Sequence, residues 1–205
     1  MNNFWTGTVL ALLLGGLGLS AQAAEQGPQQ MVMDTTKEVL KILDRERDKI
    51  KKDPNHIYGL IDKHVLPHFD FERMSRWTLG RHWRTASEKQ KERFIAQFRT
   101  LLVRTYASSL LEFSGQKIEF LPFRKGSDEK EAMVRSEVEQ AGTFPIPINY
   151  RLHKKGDKWL VYDVTIDEIS LIANYRTSFA NEIRKTNIDK LISQLEKKNL
   201  EAKGG

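Results

Sequence analysis

The chain has no cysteine, which removes disulfides, thiolate nucleophiles and cysteine–metal sites. It is just as poor in arrangements that carry catalysis. No glycine-rich loop opens a helix, and Ser108, Ser109 and Ser170 lack both a partnering base and a nucleophile elbow. His64 and His68 stand four apart, as a helical metal pair does, but Pro67 disturbs the helix there and no third ligand is near. They are expected to be helix-end histidines, with His56, His82 and His153 as solitary surface or interface groups. No metal and no cofactor is expected.

Charge is absent from one segment altogether: residues 1–23 hold no Lys, Arg, Asp or Glu. Within it Val9–Leu19 is an apolar run, and Ser20-Ala-Gln-Ala-Ala24 follows. A short apolar region and then small residues is the pattern of a cleaved secretory signal, here expected to end after Ala23. A membrane span needs about 20 apolar residues; this run is shorter, and glycines interrupt it. No later stretch is long enough either, so the mature chain is expected to be exported and soluble. The formal net charge of +6 survives that cleavage. A basic surface suits nucleic acid, anionic lipid or an acidic partner, and export argues against nucleic acid.

What the chain does have is periodicity. One domain is expected over residues 24–200, helical at about 29–114, a sheet at about 115–167 and helical again at about 169–200, with 201–205 as a disordered end. Gln29–Lys52 places Met33, Thr36, Leu40 and Leu43 on one helix side. Asp53-Pro54 opens a second helix holding Ile57, Leu60, Ile61 and Val65, and Pro67 closes it. Phe69–Leu79 is a third, ended by Gly80. Ser87-Glu-Lys-Gln90 is a capping box that starts the longest helix, running to about Ser114. Phe94, Phe98, Leu102, Tyr106 and Leu110 belong to an apolar arc wider than one packed seam requires.

From Gly115 the period changes to 2. Lys117–Phe123, Lys130–Glu139, Phe144–Leu152 and Lys158–Ile166 are the expected strands, joined by turns in a meander. Ala132, Val134 and Val138 share a face, and Phe144, Ile146, Ile148, Tyr150 and Leu152 alternate strictly. Pro145 and Pro147 mark an edge or a bulged lip. Ser170–Lys185 and Ile188–Lys198 return to helix. The fold class is therefore α+β: a curved antiparallel sheet of about four strands with helices packed on one face, enclosing an apolar cavity.

Asp163 lies in an apolar strand, and a desolvated carboxylate in a cavity is one way to make a general base. Its plainer role is to satisfy backbone or arginine donors at a strand end. No oxyanion donors accompany it, so no enzyme is expected. What remains is an apolar and aromatic surplus in and beside the sheet: Phe120, Phe144, Tyr150, Trp159, Tyr162 and Tyr175.

Leu79-Gly80-Arg-His-Trp83-Arg-Thr-Ala86-Ser-Glu-Lys-Gln90-Lys-Glu-Arg-Phe94 resembles the G-x-x-W-x-x-A-x-x-x-Q-x-x-x-F signature of the MlaC family. These are periplasmic phospholipid-binding components of an ABC transport system, also called toluene-tolerance auxiliary proteins. Trp159-Leu-Val-Tyr-Asp163-Val-Thr-Ile-Asp-Glu-Ile169-Ser170-Leu171 resembles the family's W-x-x-Y-D-V/M…E-G-V-S-L/M stretch, and Ile188-Asp189-Lys190-Leu191 its closing I-D-G-L. The likeness runs in order from about Pro54 to Leu195. Glu168 and Lys190 depart from it, each standing where the family commonly has Gly.

The resemblance implies a monomeric periplasmic carrier with glycerophospholipid as cargo. It would shuttle between an inner-membrane ABC transporter with its MCE-domain protein and an outer-membrane lipoprotein–porin complex, maintaining outer-membrane lipid asymmetry. Acyl chains would lie between sheet and helices, with the head group at the mouth. On the strands the implied lining is Ile146, Ile148, Tyr150, Trp159 and Val161, joined by Phe120 and Val134. On the helices and the strand-to-helix turn it is Phe98, Leu102, Tyr106, Leu110, Ile169, Ile172 and Tyr175. Two other classes compete: an enzyme using Asp163 as general acid/base, and a periplasmic adaptor with an incidental cavity.

Overall fold

The structure, a computed structural model, describes residues 26–111, 115–140 and 142–201. The expected leader, residues 112–114 of the expected long helix, and the end of the chain after Glu201 lie outside the described residues. No helix among the described residues is long and apolar enough to cross a membrane.

Helices come first: α1 (Pro28–Arg45), α2 (Arg47–Lys52), α3 (His56–His64), a 3₁₀ turn at Leu66–His68, α4 (Phe71–Leu79), α5 (Arg81–Thr85) and α6 (Glu88–Leu111). The capping box forms as expected. The Ser87 amide N–H donates to Gln90 Oε1 at 2.9 Å, and the Gln90 amide N–H donates to Ser87 Oγ at 3.3 Å. Gly80 separates α4 from α5 at φ +54°, a conformation closed to most side chains. On α1 the buried residues are Met31, Val32 and Ile42, whereas Met33 is exposed. The apolar stripe is thus offset from the expected Met33–Thr36–Leu40 line, because α1 turns Met31 and Val32 toward the sheet.

The sheet is an antiparallel meander in the order β1 (Ile118–Phe120), β2 (Glu131–Val138), β3 (Ile146–Lys155), β4 (Lys158–Ile166), β5 (Ile169–Ser170). The fifth strand is a two-residue addition to the four expected. It exists because Asp167 and Glu168 both take positive φ, 46° and 66°, and fold the chain straight back on β4. Two central residues at φ > 0 make the hairpin turn that suits strand twist. Phe144 stands outside β3 and is 92% exposed, contrary to its expected place in the alternation.

β4 carries a bulge. Leu152 pairs with Val161 and Arg151 with Asp163, so Tyr162 is left over. Val161 and Val164 consequently pack in the same apolar cluster, while Tyr162 joins the helical core. The edge of β4 ahead of β5 is covered by the chain entering α4: Asp70 N–H donates to Val161 O at 2.9 Å. The helices α7 (Leu171–Lys185) and α8 (Ile188–Glu201) then close the domain, α7 against α4 and α8 against α6.

Three apolar clusters result. One joins α4, α6, α7 and α8 around Phe94, Phe98, Phe179 and Ile192. One joins the sheet to Met31 and Val32 of α1. The third joins α2, α3 and the C-terminal half of α6 around Ile57, Ile61 and Ala107. The broad arc of α6 is explained by its two neighbours: Phe94–Leu102 face the first cluster, and Val103, Ala107 and Leu110 the third.

His153 is buried, not a surface group, because Asp70 at the head of α4 calls for donors. Asp70 accepts from the Arg73 amide at 2.9 Å, from His153 Nε2–H at 3.0 Å and from Lys155 Nζ at 3.3 Å. Burial, the strongest influence, pushes the Asp70 pKa up, but these donors together outweigh it and hold it below the ordinary 3.8.

Two outcomes are expected. Glu168→Gly relieves a left-handed side chain and should raise stability by about 1 kcal/mol, read as a higher urea midpoint at unchanged slope; a lower midpoint would refute the strain. Asp70 has a depressed folded pKa, so its contribution is complete above the unfolded carboxylate pKa and disappears as pH falls through the folded value. Asp70→Asn should therefore flatten the stability–pH curve below about pH 4, and an unchanged acid limb would exclude the role.

Candidate functional site

The register of the sheet assembles one apolar face in rows. Ile118, Val138 and Ile146 form the first, Phe120, Ser136, Ile148 and Ile166 the second, Val134, Tyr150 and Val164 the third, and Ala132, Leu152 and Val161 the fourth. Trp159 continues the face beyond them. Period-2 alternation alone would have carried Val161 and Val164 to opposite sides; the bulge brings them together.

Coverage of this face is uneven. Val134, Leu152, Val161 and Val164 are buried beneath Met31 and Val32, whereas Ile146, Ile148, Tyr150, Phe120, Trp159 and Ile166 are only half-buried. Toward β1 the sheet thus presents apolar side chains that its own helices do not finish covering. One polar pair interrupts it. Ser136 is 1% exposed and donates through Oγ to Ile148 O at 3.0 Å. Burial pushes the neighbouring Tyr150 phenol up, and contact with Ser136 works against it.

The expected lining residues fall into groups. Phe120, Val134, Ile148, Tyr150, Trp159 and Val161 share the sheet face, with Ile146 in its outermost row. Phe98, Leu102 and Ile172 are buried in the helical core, with Tyr106 and Tyr175 packed at its margin. Burial, and next the adjacent Tyr175 hydroxyl, pushes the Tyr106 pKa to about 12. Leu110 belongs to the α2–α3–α6 cluster. Ile169 stands on the β5 hairpin at 59% exposure. Sequence reasoning missed Met31 and Val32, which rest on the sheet face; the stripe Val32–Thr36–Val39–Leu43 held the signal.

Between α1, α3 and α6 lies a void of about 10 Å³ lined by Val39, Ile42, Leu43, Ile57, Leu60 and Leu110 among others. That is room for about one water. A wider groove of about 390 Å³ opens outside, between α3, α4 and the β3–β4 hairpin, with Asp62, Asp70, Arg99 and Lys155 at its rim.

Asp163 is 4% exposed and both its oxygens are engaged. Oδ2 accepts from Ser170 Oγ–H at 2.7 Å, and Oδ1 from the Ile172 amide at 3.2 Å. Ser170 in turn caps α7 by accepting from the Ala173 amide at 3.0 Å. The carboxylate is thus an extension of a helix cap. His64 bonds Glu38 at 3.0 Å, and no group of three or more metal-ligating side chains occurs among the described residues.

The motif from Gly80 to Phe94 also builds the frame. Trp83 packs against the helical core, Ala86 is buried, and Phe94 is fully buried edge-on to Phe179. Gln90 closes the capping box and donates to Asp189 Oδ2 at 2.9 Å, tying α6 to α8.

Residues 33–197 match the family described as MlaC protein. The intermembrane phospholipid transport system binding protein MlaC of Haemophilus influenzae is 26% identical over 193 residues, covering 92% of this chain and 90% of that protein. The toluene tolerance protein ttg2D of Pseudomonas putida is 30% identical over 181 residues, covering 88% and 83%. Among solved structures, a phospholipid-binding protein from Ralstonia solanacearum in complex with a phospholipid superposes with a TM-score of 0.78 at 29% identity, covering 85% of this chain and 97% of that one.

Replacing Asp163 by Ala removes two hydrogen bonds to a buried carboxylate. It should cost about 2–3 kcal/mol in urea unfolding. A cost near zero would leave Asp163 free for another role.

Proposed function

The chain belongs to the MlaC family, and on that premise we propose that it is a phospholipid carrier, a binding protein and not an enzyme, working between two membranes. The observation that carries this is the continuous, partly uncovered apolar face of the sheet. It has the chemistry to receive hydrocarbon and lacks a charged group at its centre. The likeness to a protein solved with phospholipid supports the same reading.

The acyl chains lie against Phe120, Val134, Ile146, Ile148, Tyr150, Trp159 and Val161. Tyr106, Leu110 and Tyr175 flank them from the helices, and deeper chain ends reach toward Phe98, Leu102 and Ile172. Each buried CH₂ contributes about 0.8 kcal/mol, so two long chains supply affinity without any ion pair. The head group stays in water, and selectivity among head groups is weak. Loading widens the gap between α1 and the sheet, where Met31 and Val32 rest on the face. Cargo replaces the side-chain contacts that are lost.

The same arithmetic governs release. Hydrocarbon does not leave for water at a useful rate, so the carrier delivers only when a partner offers a continuous apolar path. The partners that fit are an inner-membrane ABC transporter with its MCE-domain protein and an outer-membrane lipoprotein–porin complex. A cleaved leader at residues 1–23 and the intermembrane role named for a relative support the periplasm as the place of work. Catalysis through Asp163 finds no support, since both oxygens are committed to Ser170 and Ile172.

Protein purified from cells should yield diacyl phospholipid on organic extraction and a lipid-bound mass under native spectrometry. Finding only unliganded protein, before and after incubation with liposomes, would sink the carrier role. Ile148→Asp puts a charge on the half-buried wall, where burial without a partner is costly. The variant should fold but retain about tenfold less lipid; undiminished loading would move the site off this face.

A further inference from the structure

One stretch of the surface has a composition unlike the rest. From Arg73 to Ser87 there is no Asp, Glu or Lys, and the basic residues are Arg73, Arg76, Arg81, His82 and Arg84. Elsewhere lysine is plentiful. Arg76, Arg81 and Arg84 are exposed on α4 and α5, and Trp77 beside them is 40% exposed.

The fold adds a fourth arginine. Arg176 of α7 lies against the α4–α5 joint, where a Cβ on Gly80 would sit 3.2 Å from its Nε. Gly80 therefore serves twice, taking φ +54° and leaving room for the guanidinium. Among the described residues Arg73 is paired with Glu131, but no ion pair holds Arg76, Arg81, Arg84 or Arg176. Trp77 is held in place by Tyr162, ring centroids 5.4 Å apart, with the Arg73 guanidinium 5.7 Å from its own ring. The patch is thus cationic, with one aromatic ring held in place.

We propose that this arginine–tryptophan surface, formed by Arg76, Trp77, Arg81, Arg84 and Arg176, docks a protein partner through an acidic face on that partner. Arginine and tryptophan without lysine is the composition of protein interface centres, where forked guanidinium groups meet carboxylates. A lipid surface would be served equally by lysine and by an aromatic ring free to insert, and Trp77 is packed against Tyr162. The inference rests on the carrier reading only in supplying a reason to dock; the surface lies on α4, α5 and α7, away from the rows of the sheet face.

The test uses the mature protein as purified from cells, with envelope membrane vesicles of the source bacterium, untreated or shaved with protease, and protein-free vesicles of phosphatidylethanolamine and phosphatidylglycerol. Saturable binding to untreated vesicles is expected, lost on shaving and weakened about tenfold between low and physiological salt. Arg81→Glu/Arg84→Glu should weaken it by about tenfold or more, with Arg81→Gln/Arg84→Gln intermediate, while Lys37→Glu/Lys41→Glu leaves it unchanged. Absence of binding, equal binding to protein-free vesicles, persistence after shaving, or indifference to the arginine variants would each overturn the proposal. Lipid content is measured on the same samples: wild-type protein that binds vesicles but carries no lipid refutes the carrier reading and leaves the docking surface standing.

Discussion

The bulge at Tyr162 is the constraint from which the rest of the structure follows. One extra residue in β4 sends Val161 and Val164 to the same face and turns Tyr162 and Asp163 to the other. The first pair completes an apolar surface four rows deep. Tyr162 takes up Trp77 and Arg73 of α4, and Asp163 takes up the start of α7. Without the bulge a straight strand would divide these duties differently. Val164 would leave the apolar face, and α7 would lose the carboxylate that holds its first turn.

A division of labour runs through the molecule. Gly80, Trp83, Ala86, Gln90 and Phe94 shape the helical frame, and Asp163 with Ser170 fastens α7 to the sheet. None of these side chains belongs to the sheet-face cluster. The face itself is made of ordinary aliphatic and aromatic residues, which any well-packed strand could carry. That is physically reasonable for hydrocarbon cargo. Dispersion and the hydrophobic effect are not directional, so the wall needs area and continuity, while the frame needs particular atoms at particular distances.

The cover over the sheet face sets the energetics of loading. Met31 and Val32 cover the centre of the face, and half-buried Ile148, Tyr150 and Trp159 surround them. Opening exposes apolar surface at roughly 25 cal/mol per Å², and cargo offsets that cost by covering the same surface again.

The sequence by itself determined the element order, the capping box at Ser87–Gln90, the strands of the meander and the family to which they belong. These features are local: a helix period, a cap or an alternation is written within about ten neighbouring residues. It also placed Phe120, Val134, Ile148, Tyr150, Trp159 and Val161 on strands whose register then put them on one face. Other features were decided only by tertiary structure. The burial of His153 depends on Asp70, and the cover over the sheet depends on which way α1 turns Met31 and Val32. The arginine cluster depends on α7 passing Gly80. Each of these joins residues far apart along the chain, and a pattern that repeats every two or four residues holds no information about which distant segment will pack against it.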